Sequence, residues 1–287
     1  MSHDGAVRTG EKRMLDLKAD SSSDGSWRET LKIIVQALAI AMVVRVFFYQ
    51  PFNIPSGSMK ETLLVGDYLF VSKLSYGYSK YTFPRRIDVP IINVSVPLMP
   101  DLFSGRKFFV AEPKRGDVVV FKLPRDNTTD YIKRVIGLPG DEIQMKSGVL
   151  YIKPAGKDWY QVPKVPAGTF TTREDEGAPK AIPVYEETLP EGKKYKVLDS
   201  EANGPFDNTG IFKVPPGHYF MMGDNRDNST DSRASYGVGY VPFENLIGRA
   251  EIIFFSAELD DPNAFRLTRP WTWPFDIRWS RFFKLVR

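Results

Sequence analysis

The sequence predicts a mainly β protein that carries an inserted β-rich lobe and follows one transmembrane helix. Three observations predict it. Short runs of β-branched and aromatic residues recur between turn signals from Pro51 onward. A long apolar segment, Leu31–Tyr49, stands before them. A stretch over 146–212, with many Gly, Pro and Lys, interrupts the run of strands. The 287 residues can bury a substantial core, and an apolar share of 42% with 13% aromatics excludes wholesale disorder.

Residues 1–30 alternate charges with small polar residues, and Ser21 to Ser26 have a flexible composition, so this stretch reads as a tail. In the next segment the charge-free core, Ile33–Val44, is shorter than the ~20 apolar residues that span hydrocarbon. Arg45 interrupts it, but Val46, Phe47 and Phe48 continue, and an arginine near a helix end can snorkel to the headgroups. A cleaved signal peptide would carry its small-residue site beyond the apolar run, whereas Ala37, Ala39 and Ala41 lie inside it. An uncleaved anchor over 31–49 fits better than that, or than a buried amphipathic helix. Arg13, Lys18, Arg28 and Lys32 flank its amino-terminal side, and the first twenty residues after Tyr49 hold only Lys60. That asymmetry puts the tail in the cytoplasm and the large domain outside.

Strands are expected at Asp67–Val71, Gly116–Phe121, Tyr131–Val135, Val149–Ile152, Tyr219–Met222 and Glu251–Phe255. The Pro-rich 76–113 stretch fits an inserted hairpin or loop. With 146–212 as a second lobe, residues 50–145 and 213–287 remain as one catalytic core. No internal repeat is evident. The carboxy-terminal run from Arg269 to Phe283 places Trp271, Trp273 and Trp279 among basic residues. It suits either a membrane interface or packing on the domain surface.

Composition narrows the chemistry. Cysteine is absent, which excludes disulfides, thiolate nucleophiles and cysteine-ligated metals. Of the two histidines, His3 lies in the tail and His218 opens an apolar run as the first residue of a strand. A histidine-based triad would have to use His218, and a multi-histidine zinc site lacks its ligands. The net charge of +4, without a basic run or helix, is no nucleic-acid footprint, though it is compatible with anionic lipid.

Three motifs remain. In Pro55-Ser56-Gly57-Ser58-Met59 an extended backbone would turn Ser56 and Ser58 to one side. One hydroxyl could then attack while the other, with the Ser58 N–H, holds an oxyanion; a plain Ser/Gly turn after Pro55 is the alternative. Lys133 lies on an expected strand with Tyr131 and Val135 on its side, an apolar setting that lowers an amine pKa. A base useful near neutrality must fall a few units from ~10.4, at roughly 3–4 kcal/mol of ammonium stability. The run Gly223 to Arg233 fails as a calcium loop, because Arg226 takes the third position and Ser235 the place of the bidentate acid. It fits a rigid turn in which Asp227, Asp231, Arg226 and Arg233 pair and Ser229 projects toward a site, or else a solvated charged loop. Gly137-Leu138-Pro139-Gly140-Asp141 reads as a structural turn.

In combination, over roughly 51–143 and 215–255, these motifs resemble the bacterial type I signal peptidases, Ser-Lys dyad proteases of the membrane. The resemblance implies a β-sheet signal-peptidase-like core in which Ser58 is the nucleophile and Lys133 the general base. It implies that Ser56 and the Ser58 N–H form the oxyanion hole and that Ser229 hydrogen-bonds and orients the lysine. Asp231 and Arg233 match a supporting pair, and Tyr131 an aromatic beside the lysine. Phe52, Ile54, Leu69, Val120 and Ile132 match the pockets that accept small residues one and three positions before the cut. The implied partners are signal-peptide-bearing preproteins and the bilayer of the plasma membrane, with no metal or organic cofactor and no nucleic acid. The insertions look like those of Gram-negative members, although one anchor instead of two departs from some of them. A Ser-Lys self-cleaving repressor would need an amino-terminal DNA-binding helix pair, for which the tail has no pattern. A non-enzymatic anchored binding protein would have no use for all four of Ser56, Ser58, Lys133 and Ser229. Oligomeric state is not legible.

Overall fold

A computed structural model describes residues 23–83, 86–89, 94–97, 105–106, 108–172, 180–201, 203–259 and 271–287. The expected tail up to residue 22, parts of the 76–113 insertion, and Arg269 with Pro270 lie outside them. Helix α1 runs Ser23–Phe47, and its stretch Trp27–Phe47, with mean hydropathy 2.0, is long and apolar enough to cross a bilayer. Arg45 falls in its last turn, where the helix dipole favours a cation. Among the described residues, those up to Met42 form one compact unit and those from Val43 onward a second.

The second unit is built of antiparallel strands. In chain order these are β1 (Tyr49–Asn53), β2 (Asp67–Ser72), β3 (Arg86–Val89), β4 (Val94–Pro97), β5 (Val118–Lys122) and β6 (Asp130–Gly137). There follow β7 (Glu142–Lys146), β8 (Val149–Lys153), β9 (Tyr160–Gln161), β10 (Lys164–Thr172), β11 (Lys180–Thr188), β12 (Lys194–Leu198) and β13 (Phe212–Lys213). The last three are β14 (His218–Met222), β15 (Tyr240–Pro242) and β16 (Leu246–Ser256). A seven-stranded sheet has the order β1-β2-β16-β5-β6-β14-β15, so strands from both ends of the sequence interleave in it. Strands β7 to β13 make a four-stranded sheet (β13-β7-β8-β9) and a three-stranded one (β10-β11-β12).

Period-two alternation explains the layering. On β5, Val118 and Val120 join a core with Ile54, Leu69 and Ile253, while Val119 and Phe121 point into a second core with Val135, Tyr219 and Met221. The large sheet is therefore apolar on both faces, and continuous Val118-Val119-Val120-Phe121 is what that requires. A third core joins Ile136, Phe220 and Met222 of the large sheet to Ile143, Leu150, Tyr195 and Val197, so the smaller sheets share apolar packing with it. Gly66, with φ 87°, turns the chain into β2; a side chain there would run into the carbonyl of Ala257. The carboxy-terminal segment packs on the domain through an Ile252–Leu285 bridge and the buried Arg281–Asp67 ion pair, while Trp271, Phe275 and Phe283 stay exposed.

Candidate active site

Past the end of β1 the chain is held to the start of β2 by Ile54 N–H on Asp67 O and Gly66 N–H on Ile54 O. Ser56 is extended (φ −130°, ψ 153°), but Gly57–Met59 form a single 3-10 turn, so of the two readings the sequence left open the backbone combines an extended residue with a turn after Pro55. Its carbonyls explain the turn. Gly57 O accepts from Lys60 N–H at 3.1 Å and from Asn225 Nδ2 at 3.1 Å, and Ser58 O accepts from Asn225 N–H at 3.1 Å. Backbone acceptors met by a turn and by a remote loop need no strand partner. Met59 and Leu63, both fully buried, pin the turn into the core. The two hydroxyls still face each other, with Ser56 Oγ 3.5 Å from Ser58 Oγ.

Lys133 lies in the middle of β6, paired with Val119 of β5. Its Nζ is 2.6 Å from Ser58 Oγ and 3.1 Å from Ile132 O, and Tyr131 offers its ring at 5.6 Å. The side chain is 3% exposed, and that burial brings the amine down to about 8. Asp231 and Asp224 pull the other way and Arg233 reinforces the fall. Asp231 is itself ionised: burial raises its carboxyl, but Arg233, at 2.9 Å, and the Gly223 N–H outweigh that and the net shift is downward.

The 223–233 loop is ordered by charge, with Arg233 and Asp231 paired as expected and Arg226 and Asp227 on other partners. Arg233 pairs with Asp231 and also donates to Arg226 O at 2.6 Å. Arg226, however, turns to Glu187 of β11 and the Tyr195 hydroxyl of β12, and Asp227 accepts from the N–H groups of Ser200 and Glu201. Asp224 takes the Arg134 guanidinium in two bonds of 2.8 and 2.7 Å and accepts from Thr62 Oγ1 at 2.5 Å. Ser229 does face the site, but its buried hydroxyl has no hydrogen-bond partner among the described residues, so the bond to Lys133 implied by the resemblance is not made. It packs over Gly223, where a Cβ would lie 2.5 Å from Ser229 Cβ and 2.6 Å from Ser58 O.

A cleft of about 660 Å³ opens over these groups. Ser56, Ser58, Lys133, Tyr131 and Ser229 line it together with Phe52, Ile54, Val120 and Ile132. Leu69 does not: fully buried, it stands behind the wall in the same core as Ile54 and Val120, because its side chain takes the inner face of β2. Asp231 and Arg233 are likewise behind the lining. The sequence reading did not single out Asp130, Phe206 or Tyr236, which line the cleft, nor Arg134, Glu187 and Tyr195 beneath it. Asp199, Asp207 and Asp227 bring carboxylate oxygens within 4.8 Å of one another, but Lys164 pairs with Asp199 and backbone N–H groups occupy the other two. Each carboxylate of that cluster already has a partner within the chain.

A buried amine in hydrogen-bond reach of a serine hydroxyl, with a second hydroxyl alongside, suits nucleophilic attack on a carbonyl. Comparison with known proteins gives the family. The model of the family described as signal peptidase, peptidase S26, matches residues 27–255. Signal peptidase I of Rickettsia typhi is 40% identical over 260 residues, covering 86% of this chain and 89% of that one. Signal peptidase I of Rickettsia conorii is 41% identical over 228 residues, 77% of each. A solved signal peptidase I from Enterococcus faecalis is 25% identical and covers 48% of this chain and 97% of its own; with a TM-score of 0.27 it superposes too loosely to add to the fold described above.

Proposed function

The chain belongs to the signal peptidase family, peptidase S26, serine peptidases that remove signal peptides from preproteins, and on that premise we propose Ser58 as its nucleophile and Lys133 as its general base. The observation that carries this reading is the 2.6 Å approach of Lys133 Nζ to Ser58 Oγ, by an amine that burial has brought down to about 8. At neutral pH a useful fraction of such an amine is uncharged and able to accept a proton.

Neutral Lys133 takes the Ser58 proton as Oγ attacks the scissile carbonyl. The oxyanion is held by the Ser58 N–H and the Ser56 hydroxyl, donors worth ~3–4 kcal/mol each in such sites. Collapse breaks the C–N bond, the Lys133 ammonium protonates the departing amine, and an acyl-enzyme remains on Ser58. Water then attacks the ester, giving its proton to Lys133; collapse releases the signal peptide, and the Lys133 ammonium returns the proton to Ser58 Oγ. Ser229, buried in the same cleft with no hydrogen-bond partner among the described residues, orients the ammonium formed during the reaction. Phe52, Ile54, Val120 and Ile132 form the apolar walls that take small side chains one and three positions before the cut, with Leu69 supporting them from behind.

One apolar helix near the amino terminus and bacterial signal peptidase I relatives fit a single-pass inner-membrane protein. We place the tail over residues 1–30 in the cytoplasm, the anchor over 31–49 in the bilayer, and the catalytic core of 50–145 and 213–287, with its lobe over 146–212, on the outer side. There the exposed Trp271, Phe275 and Phe283 meet lipid. Purified Ser58→Ala and Lys133→Ala should each fail to process a labelled preprotein while remaining folded; near-normal cleavage by either rejects the roles. Ser56→Ala should lower kcat more than it raises KM.

A further inference from the structure

We propose that Asn225 is a positioning residue for the oxyanion hole, seated by the lobe strands β11 and β12 through Arg226. The inference rests on the reading of Ser58 as nucleophile and of its N–H as an oxyanion donor. That N–H belongs to the peptide unit that also carries the Gly57 carbonyl. The unit is planar and its C=O and N–H point in opposite directions, so whatever aims the carbonyl aims the N–H. Two donors meet the Gly57 carbonyl: the Lys60 N–H within the turn and Asn225 Nδ2 from the facing loop, each at 3.1 Å. The next carbonyl, of Ser58, accepts the Asn225 backbone N–H at 3.1 Å. Asn225, itself buried, thus grips both peptide units that flank the nucleophile's Cα. The proposed mechanism leaves it otherwise without work.

What holds Asn225 comes from a distant part of the chain. Asn225 forms a bridge with Leu198 at the end of β12; Leu198 N–H donates to Asp224 O at 2.9 Å and Arg226 N–H to Leu198 O at 2.8 Å. Next to it the Arg226 guanidinium is clasped by Glu187, with Nη1 2.7 Å from Oε1, and meets the Tyr195 hydroxyl at 3.0 Å. All three side chains are buried. A buried ion pair adds little net stability over apolar packing, but its directionality can fix a register. Here the register it fixes is that of the residue aiming the Ser58 N–H.

The test uses the full chain with Asn225→Asp and Asn225→Ala. Aspartate keeps the shape and the backbone N–H but removes the Nδ2 donor. On a preprotein substrate kcat should fall about tenfold or more, short of the loss for a missing donor, with KM within about twofold of wild type. A peptide aldehyde of signal-peptide sequence, whose carbonyl carbon adds Ser58 Oγ while the hydroxyl proton passes to Lys133, should lose affinity by the same factor as kcat/KM. The same peptide ending in an unreactive amide should bind as before. A merely structural role moves both ligands together. Wild-type kcat in a folded Asn225→Asp, equal losses for aldehyde and amide, or failure of both variants to fold would each overturn the inference. Ser58→Ala is assayed beside them: activity surviving there sinks the nucleophile assignment, whereas a dead Ser58→Ala with a fully active Asn225→Asp sinks only the role of Asn225.

Discussion

Lys133 must be dry enough to lose its proton near neutrality and yet be held in a folded protein. Burial brings it to about 8, which at pH 7 costs the folded state on the order of 3 kcal/mol relative to a solvated amine. Two outcomes follow from that one value. In the free enzyme kcat/KM should climb close to tenfold per pH unit below about 8 and level off above it, since only the neutral amine is a base; a profile flat from pH 6 to 9 would remove Lys133 from that role. Stability moves with the same titration. An amine whose folded value lies below its unfolded value binds fewer protons in the folded state between the two, so its cost is full below about 8 and fades as pH rises toward the ordinary lysine range. Lys133→Met, which keeps the volume and drops the charge, should therefore be inactive but more stable than wild type by about 1–3 kcal/mol at pH 7. Urea unfolding at pH 7 and pH 10 checks this: the advantage should shrink at the higher pH, and an advantage equal at both would mean that the buried charge is not its source.

The elements were unequally legible. Strand β5 and strand β6 could be placed because β-branched runs between turn signals carry their own pattern, and Lys133 inherited its surroundings from β6. The turn at Gly57–Met59 stood only as an alternative to an extended backbone, because its hydrogen-bond partner Asn225 lies 168 residues away from Gly57. Arg226 escaped for the same reason: nothing local marks Glu187, in a lobe strand with no motif of its own, as its partner. The resemblance supplied Ser229 but not its surroundings, where the hydroxyl packs over Gly223 without a bond. That glycine gives an element-scale prediction. A methyl at Gly223 would come within 2.6 Å of Ser58 O and 2.5 Å of Ser229 Cβ, so the 223–233 loop and the serine turn must separate. Gly223→Ala should lose at least about 1–3 kcal/mol of stability and most of its activity, read by thermal melting and preprotein cleavage. Ala tolerated with unchanged kcat would show that the loop and the turn do not need this close approach.

Across the whole molecule, the lobe strands and the core meet at charge as well as at apolar packing. Arg134 and Asp224 of the core lie against Tyr195 of β12, whose ring is 4.4 Å from the Arg134 guanidinium, and Tyr195 in turn hydrogen-bonds Glu187 at 2.5 Å. The lobe is thus joined to Arg134, which follows Lys133, and to Asp224 and Arg226, on either side of Asn225. Removing one member of a buried pair leaves the other's charge stranded, at about 3–5 kcal/mol, whereas replacing both by apolar residues of similar size is often neutral. Glu187→Leu should accordingly be strongly destabilised, and Glu187→Leu with Arg226→Met should recover to within about 1–2 kcal/mol of wild type. Stability and catalysis should then part company. The double variant has an apolar contact in place of a directional one, so Asn225 is less firmly seated and kcat stays below wild type even though folding is restored. Denaturant unfolding and single-turnover cleavage on these three proteins decide it: full recovery of kcat along with stability would reduce the Glu187–Arg226 pair to a folding contact.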